Sequence, residues 1–183
     1  MPDNREADII NRVQQGFTAD FEQLVVRYER PLFRMVGNLL GRSHRVEDVV
    51  QEAFLAAFRH IRTYDSERGR FSTWLYRIAR NTAFNELKRG AAQAVARLPE
   101  ADDQRLPDED LILREEFRRL DRTLAGLSFR DRSVFVMAEL EGLSYAEIAD
   151  VEGIAVGTVK SRLSRTRTRL RNLLAPKRKT HHG

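Results

Sequence analysis

The side chains best suited to recognition chemistry lie between Ser144 and Arg167. Thr158, Lys160, Ser161, Arg162, Ser164, Arg165 and Arg167 are all hydrogen-bond donors, and most are cations. On one helix face, such donors suit phosphate oxygens and the acceptor edges of bases. Ahead of them, Ser144 can cap a first helix, and Glu147 can return the bond to close a capping box. Ala149 is small where two helices must cross closely, and Gly153 gives a tight turn its backbone freedom. Val159 and Leu163, four apart, turn the second helix inward. The spacing predicts a helix-turn-helix whose second helix enters the major groove of double-stranded DNA. A plain helical hairpin with a solvated basic face would not need these residues at these offsets.

Two further groups carry chemistry. Arg77, Arg80, Asn81, Asn85, Lys88 and Arg89 recur at helical spacing, which places them on the exposed face of one helix. Asn reads base edges and Arg holds phosphates. The neighbouring Phe71 and Trp74 add aromatic surface, and aromatics beside cations suit unstacked bases. Trp74 itself falls on the inward face and reads chiefly as core. The other group is Glu47, Asp48, Gln51, Glu52, Leu55 and Arg59. In a chain of net charge +5 and pI about 9.9, this acidic, partly apolar strip suits a basic helix on a partner.

The elements that position these groups read as helices throughout. Ile9, Ile10 and Val13 make a short helix closed by Gly16. Phe21, Leu24, Val25 and Tyr28 begin a second, which Pro31 is expected to kink or restart. Val46, Val49, Val50, Ala53, Phe54, Ala57, Phe58 and Ile61 form an unbroken stripe for a third. A polar loop from Arg62 to Arg70 precedes a fourth helix built on Phe71, Leu75, Ile78, Thr82 and Leu87, with Gly90 expected to end it. Between Ala91 and Asp110, Pro99, Pro107 and a run of acids predict an extended linker. Leu113, Phe117, Leu120 and Leu124 restore the helical period, Ser128 caps the next helix, and Gly142 closes it. No strand signal or internal repeat is present. The expected fold is all-α: two small helical domains joined by an acidic flexible linker, the first forming its own core and the second marginal alone.

The 183 residues include no cysteine, which excludes disulfides and thiolate metal sites in this chain. No apolar run is long enough to span a membrane, and the N-terminus lacks a signal-peptide core. After Glu152 there is no acidic residue, and His181, His182 and Gly183 end a basic tail rather than a metal site. With no Walker loop, metal cluster or nucleophile constellation, no enzyme, cofactor or metal is expected.

Three motifs in order then become specific: Asp48-Val-Val-Gln-Glu-Ala-Phe-Leu55, Phe71-Ser-Thr-Trp-Leu-Tyr-Arg-Ile-Ala-Arg-Asn81, and Gly142-Leu-Ser-Tyr-Ala-Glu-Ile-Ala149 with Val156-Gly-Thr-Val-Lys-Ser-Arg162. From about Ile9 to Leu174 the chain resembles the extracytoplasmic-function sigma factors of bacterial RNA polymerase, of the minimal type with sigma domains two and four. The resemblance implies sigma region 2 over residues 1–90, a linker over 91–110, sigma region 4 over 111–175 and a basic tail over 176–183. It implies docking of Asp48, Gln51, Glu52 and Leu55 on the β′ clamp helices of core polymerase, with the β flap as a second polymerase contact. It implies that the Tyr64–Arg70 loop captures a flipped base of the melted −10 element, with Asn81 and Asn85 lining the site. Tyr64, Arg77, Arg80 and Lys88 join the −10 surface. Lys160, Ser161, Ser164 and Arg165 would read the duplex −35 element, and Thr158, Arg162 and Arg167 would hold phosphates. An alternative sigma factor of the bacterial cytoplasm, restrained by an anti-sigma factor, is the expected function. The rival is a free-standing helix-turn-helix regulator. Glu152 departs from the family, which has an apolar residue before the turn glycine, and Ala155 replaces a capping side chain.

Overall fold

The computed structural model describes residues 4–41, 43–94 and 123–174, and every regular element among them is helical. The expected acidic linker and the basic tail lie outside the described residues, save that residues 91–94 are helical. Four helices make the N-terminal unit: α1 (Asn4–Gln14), α2 (Phe21–Leu40), α3 (Val46–His60) and α4 (Phe71–Ala94). α2, α3 and α4 pack on one another in pairs, and α1 lies against α2. Gln14 Nε2 donates to the carbonyls of Ile61 and Tyr64, both at 2.9 Å, and so ties α1 to the turn that leaves α3.

Two expected breaks do not occur, the restart at Pro31 and the stop at Gly90. Pro31 does not restart α2, which is one twenty-residue helix. Leu24, Tyr28, Leu32, Met35, Val36 and Leu39 are buried along it on both sides of the proline. Burying such side chains contributes about 1.5–3 kcal/mol each, enough to offset a lost backbone bond. Gly90 does not end α4, which runs on to Ala94.

The C-terminal unit is built as its capping signals require. Ser128 Oγ accepts from the backbone N–H of Asp131 at 3.2 Å and starts α5 (Phe129–Phe135), which loosens into a π turn over Val136–Leu140. Ser144 and Glu147 form the full capping box of α6 (Tyr145–Glu152). Gly153 then adopts φ 65° and ψ 40°, and Ile154 N donates back to Ala149 O at 3.0 Å. Only glycine takes this left-handed geometry without strain, so Gly153 sets the angle at which α7 (Val156–Leu174) leaves. Val159 and Leu163 are buried on its inner face.

The two units do not keep separate cores. Val134, Val136, Met137, Ile148 and Val159 join the same buried cluster as Leu32, Leu39, Leu75 and Ala79. α6 packs on α4, and the π turn and α5 pack on α2. Arg132 is buried and donates through Nη1 to Leu39 O at 2.8 Å, so it caps the C-terminal carbonyls of α2 from the other unit. Burial holds its guanidinium pKa below the ordinary value.

Candidate nucleic-acid and polymerase interfaces

α7 presents its polar face to solvent. Lys160, Ser161, Ser164, Arg165 and Arg167 are exposed, while Thr158 and Arg162 are half-buried. Ser161 Oγ donates to Thr158 O at 3.0 Å, and Arg165 Nε donates to Ser161 O at 3.3 Å, which lays the Arg165 guanidinium along the helix. Ser164, Arg165, Thr168, Arg169, Asn172 and Leu173 line a shallow open groove on this surface. Arg167 is engaged: its Nε and Nη2 donate to Glu139 Oε1 at 2.8 and 2.5 Å. These bonds raise its pKa, and any phosphate must displace Glu139 to reach it. Arg162 Nη1 is buried without a hydrogen-bond partner.

The α3 strip is open. Glu47, Asp48, Gln51 and Glu52 are exposed, and Leu55 is 54% exposed although it is a large apolar side chain. Gln51 Nε2 donates to Glu47 Oε1 at 3.3 Å, and Arg89 from α4 lies 3.4 Å from Glu52. Both partners of that pair are more than half exposed, so it contributes little.

α4 divides into two edges, which corrects the expectation of a single exposed face. Asn81, Asn85, Lys88 and Arg89 are exposed, and Lys88 Nζ sits 4.6 Å from the Phe84 ring centroid. Arg77 and Arg80 instead turn toward α6. Arg77 pairs with Asp150, and Arg80 donates through Nε and Nη2 to the two oxygens of Glu152 at 3.0 and 2.8 Å. Helical spacing places all six residues on one side of α4, but it does not reveal a second unit lying along that side.

The loop before α4 is ordered by its own polar groups. Asp65 Oδ1 accepts from Glu67 N at 2.9 Å, and Tyr64 Oη donates to Gly69 O at 3.0 Å. The Tyr64 ring packs edge-on against Phe71 at 5.3 Å and at a tilt against Trp74 at 5.6 Å, so loop and helix share one aromatic cluster. Burial raises the Tyr64 pKa. Trp74 is half-buried within this cluster, in line with a chiefly structural role.

Several contacts escaped the sequence. Glu139 is the partner of Arg167, Glu141 of Arg34 and Glu152 of Arg80. The one available signal was Glu152, a charge where an apolar residue was expected. Its side chain is 2% exposed and is held by Arg80 and by the Ser133 hydroxyl, which donates at 2.5 Å.

The architecture is that of a two-part, all-helical nucleic-acid-binding protein with a helix-turn-helix in its second part. Residues 24–93 match the family described as Sigma-70 region 2, and residues 117–170 match Sigma-70, region 4. The chain is 39% identical over 186 residues to the ECF RNA polymerase sigma-E factor of Escherichia coli K12, covering 92% of this chain and 93% of that protein. It is 35% identical to the same factor of Haemophilus influenzae, with 92% and 94% covered. Among solved structures it resembles CnrH in complex with the cytosolic domain of CnrY, with TM-score 0.70, 29% identity and 91% and 94% of the chains covered. It also resembles the sigma factor RpoE bound to the anti-sigma factor NepR from Bartonella quintana, with TM-score 0.69, 25% identity and 87% and 99% covered. The chain belongs to the ECF sigma factors of RNA polymerase. It is an alternative sigma factor that directs the polymerase to promoters, and not a free-standing regulator. No helix among the described residues is long and apolar enough to cross a membrane.

Proposed function

We propose a division of labour within this sigma factor: α3 docks on core polymerase, α4 and the Tyr64–Arg70 loop hold the melted −10 strand, and α7 reads the −35 duplex. The observation that carries this reading is the open α3 strip. An exposed acidic face centred on a half-exposed leucine, in a basic chain, needs a basic and partly apolar partner. Asp48, Gln51, Glu52 and Leu55 meet the β′ clamp helices. Asn81 and Asn85, four apart on the open edge of α4, line a pocket for one extruded base beside Tyr64, with Lys88 near the strand. On α7, Lys160, Ser161, Ser164 and Arg165 face base edges, while Thr158, Arg162 and Arg167 take phosphates. Residues 1–90 act as the region 2 unit, 91–110 as the linker, 111–175 as the region 4 unit with a β-flap contact, and 176–183 as the tail.

The chain itself does no chemistry on this reading. The polymerase makes the bonds, and the sigma factor supplies specificity and strand capture in the bacterial cytoplasm. The RpoE structure above contains an anti-sigma factor, and a restraining protein of that kind fits this chain as well. The docking claim is tested by pull-down with core polymerase. Asp48→Arg together with Glu52→Arg sets like charge against the partner and costs several kcal/mol of affinity. Both side chains are exposed, so helicity is unchanged. Retention of core polymerase at wild-type strength would remove α3 as the anchor.

A further inference from the structure

Two cations of α4, Arg77 and Arg80, meet carboxylates of the helix-turn-helix unit, and Arg70 just before the helix and Arg34 on α2 extend the same contact. Arg80 and Glu152 form a two-bond fork at 3.0 and 2.8 Å, with side chains only 12% and 2% exposed. The Arg80 guanidinium also lies over the rings of Phe84 and Phe129, 5.3 and 5.2 Å from their centroids. Those two rings, one from each unit, pack 5.1 Å apart. Arg77 pairs with Asp150. Arg70 lies 3.6 Å from Glu147, and Thr73 Oγ1 donates to Glu147 at 3.3 Å. At the other end of the contact, Arg34 donates to both oxygens of Glu141 at 2.9 and 2.6 Å, and the Glu141 side chain is fully buried. Glu141 also hydrogen-bonds Tyr76, whose hydroxyl pKa burial and that carboxylate push up to about 12.

The sign and shape of this contact identify what it replaces. The acids come from the unit that otherwise carries the cations of α7, and no acid follows Glu152. A carboxylate gripped by both arms of a guanidinium fills the donor positions that two phosphate oxygens would fill. The pair is also too buried for a partial role. Removing Glu152 strands a desolvated charge, so Arg80 must either keep a carboxylate or reach a substitute anion.

We propose that the acidic edge of the helix-turn-helix unit, Glu147, Asp150 and Glu152, occupies the Arg70, Arg77 and Arg80 face of α4 in place of the phosphates of a single DNA strand, so that closure of the chain and strand binding exclude one another. The proposal rests on α4 being the strand-binding helix. Closure leaves the base-reading face of α7 and the docking strip of α3 exposed while it covers the phosphate-holding edge of α4. It also touches the base pocket, because Arg80 Nη1 donates to Asn81 Oδ1 at 3.1 Å. The closed chain is therefore still open to duplex and polymerase, and opening precedes strand capture.

The test uses the full chain, whose lack of cysteine permits clean labelling. Spin labels at Glu22→Cys and Asn172→Cys, both exposed positions on different units, report the separation of the two halves. The labelled wild-type background should give one narrow distance. Glu152→Arg should broaden and lengthen it, and Arg80→Glu combined with Glu152→Arg should restore the narrow peak. In parallel, anisotropy measures binding of a fluorescent single-stranded oligonucleotide. Glu152→Gln should bind about tenfold tighter or more, because freed cations add phosphate contacts. Glu29→Gln, which makes the same charge change at an exposed site away from the contact, should not. A broad distance distribution shared by the wild-type background and Glu152→Arg overturns the closed state. A chain that opens on Glu152→Arg while Glu152→Gln gains no affinity for the oligonucleotide keeps closure but overturns α4 as the strand-binding helix, and the masking with it.

Discussion

α7 and α4 are both long helices studded with arginines, yet the structure treats their cations differently. On α7, Lys160 and Arg165 face water. On α4, Arg80 grips Glu152 in a buried pair, and Arg77 meets Asp150 at the more exposed rim of the same contact. The difference lies in what packs alongside. α7 is covered on one side by α5 and α6 and leaves its other side free, whereas α4 is flanked by α2 and α3 and then meets α6 as well. Arg167 of α7, held by Glu139, and Lys88 of α4, exposed, show that the difference runs residue by residue: a cation is ready or masked according to its neighbour.

The largest expected effect tests whether the two units share a core. Ile148 is fully buried in the cluster that spans both units. Ile148→Ala should destabilise by about 2–5 kcal/mol through lost burial and a cavity. If the units are coupled, thermal unfolding followed by circular dichroism shows one transition that moves as a whole. Two transitions, with only one displaced, would show that the cores act separately and would weaken the contrast between α4 and α7.

A smaller effect sharpens the α7 side. Arg165→Ala should cost about 1–3 kcal/mol of discrimination at one base pair of the −35 element. Arg162→Ala should weaken all duplexes alike and flatten the salt dependence by about one unit of slope. A promoter-variant transcription series separates the two, and an Arg165→Ala variant that lowers every promoter equally would contradict its assignment as a base reader. Glu139→Gln should act in the opposite direction by freeing Arg167 for phosphate, read as modestly tighter duplex binding.

The smallest effect concerns the cap that orients α6 and hence both contacts. Ser144→Ala should cost about 0.5–2 kcal/mol. Burial pushes the Glu147 carboxyl up, but the Ser144 hydroxyl and backbone N–H, Arg70 and Thr73 outweigh it and hold it below the ordinary 4.5. A carboxyl lowered on folding stabilises above its unfolded value, and that contribution fades as pH falls below about 4.5. Acid unfolding of Ser144→Ala should therefore show a shallower pH dependence than wild type below that pH, measurable by helicity.

Local signals made much of this molecule readable in advance. The Ser144 and Glu147 box, the Gly153 turn, the Ser128 cap and the inward Val159 and Leu163 depend on residues within a few positions of each other, and each appears as its spacing demands. The exposure of the α3 strip follows from the same periodicity. Pro31 does not restart α2 and Gly90 does not end α4 because their local cost is set against packing along α2 and the continuation of α4, which no short window contains. Helical spacing puts Arg77 and Arg80 on the right helix but does not reveal their environment, because Asp150 and Glu152 lie some seventy residues away in the sequence. Glu152 marked that contact only as an oddity, a charge whose partner the sequence does not name.

The central claim is that α4 captures an extruded base, and one measurement addresses it directly. Asn81→Ala with Asn85→Ala removes two exposed amides without touching the buried core. Promoter opening by core polymerase with wild-type or variant chain is followed by permanganate reactivity of unpaired thymines. Unpairing costs a few kcal/mol, which the pocket must offset. The variant should bind polymerase normally, open the promoter poorly, and recover on a template with a pre-melted bubble. Normal opening of the duplex by the variant would contradict base capture by α4.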